Sequence, residues 1–158
     1  MKNTHVISAF LGCGKTTAYI KLKDKIDVLD SDSSFFDKKD FPRNYIEHIK
    51  SNIGKVDVIF VSSHQIVRNA LKENNITFSM YYPSKERKNE MLDLYKQRGN
   101  NEDFIYFLDN NFDSFIDNIV KEEIKGLKIE LKSEGEFILN DESFKKLIDN
   151  IENEKNNK

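Results

Sequence analysis

A short glycine-rich stretch near the N-terminus, ISAFLGCGKTTAYI, contains the residue types needed to hold a phosphate group. Within it, Gly12 and Gly14 are followed directly by Lys15 and Thr16. Glycines let the backbone curl so that successive N–H groups point at one anion, and a lysine adds a full positive charge. A hydroxyl beside that lysine is suited to a phosphate-bound magnesium ion. The stretch therefore indicates a phosphate ligand.

The spacing matches the phosphate-binding pattern of glycine, four residues and then Gly-Lys-Ser/Thr, with Ala9 at the first position. The apolar run His5–Ala9 predicts a strand before the turn, and Thr16–Lys25 predicts a helix after it. The start of that helix would add a partial positive charge to the backbone N–H groups. The residues predicted to contact the nucleotide are Leu11, Gly12, Cys13, Gly14, Lys15, Thr16 and Thr17.

Each side chain of the turn has an expected role. Lys15 would neutralise the β- and γ-phosphates, the Thr16 hydroxyl would bind Mg²⁺, and Thr17 would reach the α-phosphate. Cys13 is either a small filler of the turn or a redox-active thiol, and its residue type alone favours the filler.

Strands alternate with helices along most of the chain, which predicts an α/β fold with a mostly parallel sheet of five strands. The predicted strands after the first are 26–29, 56–61, 76–82 and 127–131, with 135–139 as a candidate sixth. The predicted helices after the first are 45–52, 65–73, 85–97, 101–125 and 143–152. Ligands of such sheets collect where the strands end, so we expect the informative residues there.

The turn and its flanking elements resemble the P-loop kinase and NTPase superfamily. The resemblance implies a three-layer P-loop NTPase fold with a helical lid, and ATP or GTP bound with Mg²⁺. A guanine-reading Asn-Lys-x-Asp motif is not found in the sequence. The strand VDVIFV is followed by Ser62, Ser63 and His64, where a motor ATPase would carry an acidic residue. Both observations favour a small kinase over a switch GTPase or a motor.

The predicted second strand ends in Asp30-Ser31-Asp32. This resembles the Asp-x-Asp of small-molecule P-loop kinases such as shikimate and gluconate kinases. The resemblance implies that Asp30 orients Mg²⁺ and that Asp32 contacts the acceptor. Aspartate is also common in loops and helix caps, and this structural interpretation stays open.

The segment 84–101 corresponds to the mobile lid of small P-loop kinases. It contains Arg87 and Arg98, which the resemblance implies fold over the transferring phosphate, where planar guanidinium groups hold two oxygens at once. The alternative is a solvated helix face. Gly99 is either a hinge or a helix stop. With Lys15 and Asp32, these two arginines form the predicted catalytic set.

The acceptor would lie beside the segment between the second and third strands and at the end of the third strand. The residues predicted to bind it are Asp32, Arg43, Ser62, His64 and Arg68. Nucleoside monophosphate kinases hold the acceptor phosphate with arginines in this region, which is the role that the resemblance gives to Arg43 and Arg68. Nearby aromatic residues either stack on a base or belong to the core: Phe35, Phe36, Phe41 and Tyr45.

The order of these motifs from 7 to 118 resembles a group of short P-loop proteins of bacteriophages and low-GC bacteria, described as ATP-binding proteins or nucleotide kinases. The resemblance implies an ATP/Mg²⁺-dependent phosphotransferase of nucleotide metabolism, most simply a (deoxy)nucleoside monophosphate kinase. One alternative is a kinase of a hydroxyl on a nucleoside, small metabolite or polynucleotide 5′ end, with Asp32 as base. Another is a nucleotide-binding sensor or partner-binding protein with little turnover.

Length and composition argue against several other classes of protein. We expect one domain over residues 1–158, with a strand-helix extension at 127–154. A net charge of −2 argues against a mainly electrostatic grip on nucleic acid or membrane. The N-terminal apolar run is too short for a signal peptide or a membrane span, and the single cysteine forms no internal disulfide. These features predict a cytoplasmic protein, in the host cytoplasm if phage-encoded. They leave open the oligomeric state, a homodimer included.

Overall fold

The computed structural model describes residues 1–157 and contains a five-stranded sheet in the order β2-β3-β1-β4-β5. All neighbouring strands are parallel, so the predicted α/β class and parallel sheet are confirmed. The strands are β1 (His5–Ala9), β2 (Val28–Asp30), β3 (Val58–Val61), β4 (Phe78–Pro83) and β5 (Lys128–Leu131).

Helices cover both faces of the sheet. They are α1 (Lys15–Leu22), α2 (Arg43–Asn52), α3 (Gln65–Glu73), α4 (Lys88–Gln97), α5 (Glu102–Lys121) and α6 (Glu142–Asn156). Right-handed crossovers in this strand order put α1 on one face and α2, α3 and α5 on the other. The helix α6 shares the face of α1, where Phe144 packs against Phe60 of β3 and Tyr81 of β4.

The core is one cluster of buried apolar residues that extends from Val6 to Ile151. Its centre is β3, whose four residues are all fully buried. A parallel strand covered by helices on both faces has to be apolar throughout, which explains why its sequence is nearly continuous in β-branched and aromatic residues.

The candidate sixth strand was wrong. Residues 135–139 pair with no strand of the sheet; a 3₁₀ turn occupies Ile138–Asn140 instead. The Ile138 N–H donates a hydrogen bond to the Cys13 carbonyl at 3.0 Å, so this segment packs on the β1–α1 loop. A short apolar run alone does not distinguish a strand from a buried turn.

The carboxyl ends of the parallel strands meet at one edge of the sheet. The chain leaves β1 towards β2 and leaves β4 towards β5, so β1 and β4 form a switch point where ligands commonly bind. Tyr45 fixes part of this edge. Its hydroxyl donates to the Ser31 carbonyl at 2.6 Å and accepts from the Ser62 N–H at 3.0 Å. The ends of β2 and β3 are therefore tied together through a buried side chain.

Across residues 1–157, we find no helix whose length and apolar character would let it cross a membrane.

Candidate functional site

A cavity of about 670 Å³ opens at the carboxyl edge of the sheet. This volume lies in the range of small-molecule sites, roughly 300–1,000 Å³. Its walls are the β1–α1 loop from Ala9 to Thr16, the segments that follow β2 and β3, the start of α3, and α5. The phosphate-binding turn and the Asp-Ser-Asp segment predicted from the sequence are thus brought to one place.

The β1–α1 loop requires glycine at two positions. Gly12 and Gly14 have φ angles of 85° and 93°, in the left-handed region that other residues rarely adopt. A Cβ on Gly12 would lie 2.7 Å from Cε1 of Tyr95, and one on Gly14 would lie 3.1 Å from Cβ of Phe137. The loop is therefore curled and closely covered on its outer side.

The outer side of the loop also holds its carbonyl groups. The Tyr95 hydroxyl donates to the Leu11 carbonyl at 2.6 Å, and the Cys13 carbonyl accepts from Ile138. Cys13 itself is buried, and burial raises the pKa of its thiol to about 12. A protonated, enclosed thiol is unreactive, which favours the filler interpretation of Cys13 over a redox role.

Most N–H groups of the loop have no acceptor among the residues that the structure describes. Within residues 1–157, no acceptor contacts the N–H groups of Leu11, Gly12, Gly14, Lys15, Thr16 and Thr17. No side chain caps the start of α1, and its first turn contains no acidic residue. Unsatisfied N–H groups at a helix start, together with the helix dipole, form a binding site for an anion.

Lys15 supplies the full charge at this site. Burial lowers the pKa of Lys15, and the carboxylates of Asp30 and Asp32 oppose that shift. No carboxylate of the described chain lies within 4.0 Å of its ammonium group. Its charge is therefore available to a ligand in the cavity.

The two aspartates at the carboxyl end of β2 have different surroundings. Asp30 is half-buried, and its Oδ1 is a buried atom without a hydrogen-bond partner among the described residues. Burial raises the pKa of Asp30, and the nearby Lys15 opposes the shift. Asp32 is exposed, and its Oδ1 accepts from the Ser34 N–H at 2.9 Å, which lowers its pKa. One oxygen of Asp32 thus does act as a helix cap.

The donor set fits magnesium bound through a nucleotide. No group of three or more metal-binding side chains occurs in the part of the chain that the structure describes. Mg²⁺ does not need one, because it commonly keeps several waters and binds one or two carboxylates together with substrate phosphates. Two oxygens on the cavity wall could bind the ion. They are Oδ1 of Asp30, which has no hydrogen-bond partner among the described residues, and the exposed hydroxyl of Thr16.

Replacing Asp30 by Asn should stabilise the ligand-free protein. The raised pKa means that ionised Asp30 destabilises the folded state. This destabilisation is absent below the unfolded-state pKa and grows as pH rises towards the folded-state pKa. Above the folded-state pKa it is complete. At pH 7.5 and without ligand, we expect D30N to be about 0.5–2 kcal/mol more stable in urea unfolding. Its stability advantage should shrink towards pH 4. A clear loss of stability at pH 7.5 would contradict this account of Asp30.

Four predicted acceptor-side residues line the same cavity: Asp32, Ser62, His64 and Arg68. Ser62 is buried at the end of β3, and its Oγ accepts from the N–H of His64 at 3.3 Å. The His64 side chain is exposed and makes no capping bond to α3. Arg68, one turn into α3, is 4 % exposed.

Arg68 is incompletely partnered. Its Nε lies 3.7 Å from Oε1 of Glu122, too far for a hydrogen bond. Nε and Nη1 have no hydrogen-bond partner within the described residues. Burial lowers the pKa of Arg68, and the Glu122 carboxylate opposes the shift.

The structure does not bring the other two arginines to the cavity. Arg43 is exposed and donates to Oδ1 of Asp40 through Nε and Nη2 at 3.0 and 2.6 Å. Arg87 is 5 % exposed, and its guanidinium is engaged by Glu90 and by two backbone carbonyls. Of the two arginines in segment 84–101, only Arg98 lines the cavity.

One wall of the cavity was missed at the level of sequence. The α5 residues that line it are Phe104, Phe107, Leu108, Phe115, Asn118 and Ile119. The sequence pattern predicts one apolar stripe on this helix, made up of Phe104, Phe107, Leu108, Phe112, Phe115, Ile116 and Ile119. The buried stripe is in fact Ile105, Leu108, Phe112, Ile116 and Ile119. The aromatic residues beside that stripe were the available signal, because a helix needs only one apolar face for its core contacts.

No protein-family model matches the chain, and searches of curated proteins and of solved structures returned no match.

Proposed function

We propose that the protein is an ATP/Mg²⁺-dependent phosphotransferase, most simply a (deoxy)nucleoside monophosphate kinase, with the β1–α1 loop as its P-loop. One observation carries the proposal. Across residues 1–157, six backbone N–H groups of the β1–α1 loop and the first turn of α1 have no hydrogen-bond acceptor, and five of these residues, Lys15 among them, line a cavity with room for more than a phosphate. Such an arrangement binds a phosphate chain, while the rest of the cavity remains for a second substrate.

The nucleotide site uses residues that are already in place. The loop N–H groups would hold the β-phosphate, Lys15 would lie between the β- and γ-phosphates, and Thr17 would approach the α-phosphate. Thr16 and Asp30 would hold Mg²⁺, Asp30 directly or through a water. The ion supplies charge neutralisation on the β- and γ-oxygens when bound.

Transfer to a phosphate acceptor needs positioning rather than a base. An ionised acceptor oxygen would attack the γ-phosphorus while the bond to the β–γ bridging oxygen breaks and ADP leaves. Lys15 and Arg98 would stabilise the charge on the transferring group. We place Arg98 in the lid role because it lines the cavity and adjoins Gly99, whose φ is 87° and whose Cα faces open space.

A kinase of a hydroxyl acceptor is the second candidate. It is supported by Asp32, which faces the cavity with one oxygen outside its capping bond, and by the position of Arg43 outside the cavity. The lowered pKa of Asp32 makes it a weak base, suited to accept a proton late in the transfer. A binding protein with little turnover is the third candidate, supported by Ser62-Ser63-His64 in place of an acidic residue after β3.

The acceptor can be identified by measuring ADP release from Mg·ATP. The panel should hold all ribo- and deoxynucleoside monophosphates, the corresponding nucleosides and a 5′-hydroxyl oligonucleotide. We expect at least one monophosphate to accelerate ADP release by more than about tenfold over buffer, since an empty acceptor site leaves only slow hydrolysis.

The outcomes separate the three candidates. Acceleration by a nucleoside or by the oligonucleotide alone would assign the hydroxyl reaction and give Asp32 the role of base. Tight ATP binding with no acceleration by any acceptor would favour the binding protein. Absence of ATP binding in calorimetry would contradict the P-loop assignment itself.

A further inference from the structure

One wall of the cavity combines a buried guanidinium with aromatic side chains of α5. We define the α3–α5 subsite as Arg68, Phe107, Phe115 and Asn118, all of which line the cavity. Phe107 is 50 % exposed, and its ring centroid lies 5.8 Å from that of Phe115 at an interplanar angle of 56°. Exposed aromatic rings that face a cavity offer a surface to a flat apolar partner.

Arg68 determines which kind of atom the ligand needs at its edge. A guanidinium has only donors, so a ligand beside it needs acceptor atoms. The buried Nε and Nη1 atoms have no partner among the described residues, and such donors gain most from a ligand acceptor. Asn118 adds an exposed amide close to this wall, which can donate or accept.

The surroundings of Arg68 argue against a phosphate group at this wall. The carboxylate of Glu122 lies 3.7 Å from Nε of Arg68 and 3.6 Å from Nζ of Lys72, so it offsets part of the positive charge of these two side chains. A phosphate dianion placed there would face that carboxylate and the phenylalanine rings, and would lose its hydration. A neutral ring with carbonyl or ring-nitrogen acceptors avoids both penalties.

We propose that the α3–α5 subsite binds the planar ring of a heteroaromatic acceptor, stacked on the α5 phenylalanines with its acceptor edge towards Arg68 and Asn118. Arg68 therefore distinguishes one ring from another by its acceptor atoms, and the phosphate of the acceptor lies nearer to Lys15 and Arg98. This deepens the proposed function and rests on it for the identity of the reaction. The binding of the ring itself does not depend on ATP.

Calorimetry with matched probes tests the subsite. The probes are the 5′-monophosphates of guanosine, uridine, adenosine and cytidine, together with ribose 5-phosphate, which keeps the phosphate and sugar but lacks the ring. At least one ring-bearing probe should bind more than about tenfold tighter than ribose 5-phosphate, since one stacked base adds this much or more.

Two variants assign the effect to named residues. F107A should weaken the best ring-bearing probe about tenfold and leave ribose 5-phosphate unchanged. Y106A is the matched control, because Tyr106 is 72 % exposed on the same helix and does not line the cavity. R68K keeps the charge of Arg68 but changes its hydrogen-bond donors. It should therefore reduce the differences in affinity among the four nucleotides, while ribose 5-phosphate binds as before.

The inference fails if ribose 5-phosphate binds as tightly as every nucleotide, if no probe binds, or if F107A weakens all probes equally. It also fails if R68K weakens ribose 5-phosphate as strongly as the nucleotides, because Arg68 would then hold the phosphate. Failure of the proposed function is distinguishable from these outcomes. In that case Mg·ATP would not bind, while the ring-bearing probes would keep their preference over ribose 5-phosphate.

Discussion

The variant K15M should lose ATP turnover by a factor of about 10²–10³, since this is the usual effect of removing one preorganised charge from a developing anion. Lys15 is the one lysine on the cavity wall, and no carboxylate of the described chain pairs with it. Methionine keeps the length of the side chain but has no charge. Turnover should be followed as ADP release and ATP binding by calorimetry.

The loss in K15M should not come from unfolding. Burial lowers the pKa of Lys15, so the folded protein disfavours its charged form. Because the folded-state pKa lies below the unfolded one, this destabilisation is complete below the folded-state pKa and disappears as pH rises through the unfolded-state pKa. At pH 7 we therefore expect K15M to unfold at the same urea concentration as the unmodified protein, or at a higher one.

A matched control is available on the same helix. Lys21 is exposed in the last turn of α1 and lies outside the cavity, so K21M should retain both ATP binding and turnover. If K15M binds and turns over ATP like K21M, the β1–α1 loop is not the nucleotide site. The cavity would then have to serve another ligand.

The elements that could be predicted from sequence are those with strong local signals. The strand β1 and the helix α3 have the predicted bounds, His5–Ala9 and Gln65–Glu73. The loop between β1 and α1 was also predictable, because its two glycines and the Lys15 and Thr16 that follow them lie close together in sequence. Asp30 is the last residue of β2 and Asp32 lies two residues beyond it, and parallel strands bring their carboxyl ends to the edge where β1 also ends.

Which arginine of the lid segment reaches the cavity could not be predicted from the sequence. Arg87 and Arg98 lie in the same predicted lid segment, 84–101, and have the same chemistry, yet only Arg98 lines the cavity. The difference arises from the Leu131 carbonyl, 44 residues from Arg87, and the Glu136 carbonyl, 49 residues away. Such long-range partners leave no local pattern. The same holds for the aromatic wall of α5, which is distinguished from the core stripe only by what packs around it.

Arg87 should matter for stability and not for chemistry. Its Nε and Nη2 donate to the two carboxylate oxygens of Glu90, each at 2.8 Å. Its Nη1 donates to the carbonyls of Leu131 at 3.0 Å and Glu136 at 2.8 Å, and its Cζ lies 5.7 Å from the ring centroid of Phe137. Arg87 thus joins α4 to the end of β5 and to the segment that covers Gly14.

The variant R87M should lower the free energy of unfolding by about 3–5 kcal/mol, because it leaves Glu90 and two carbonyls without their buried partner. Urea unfolding followed by circular dichroism measures this loss. R43M is the control, since Arg43 forms an exposed pair with Asp40 and its removal should change the midpoint little. Any loss of ATP affinity in R87M should follow from a loosened cover over Gly14.

The contrary result would restore the lid role that the resemblance to small kinases implies for Arg87. In that case R87M would unfold at the same urea concentration as R43M but turn over ATP at least about 10²-fold more slowly, because the lost guanidinium would have acted on the transferring phosphate. R98M provides the comparison. R98M should lose turnover without losing stability, because Arg98 is exposed on the cavity wall and makes no ion pair within residues 1–157.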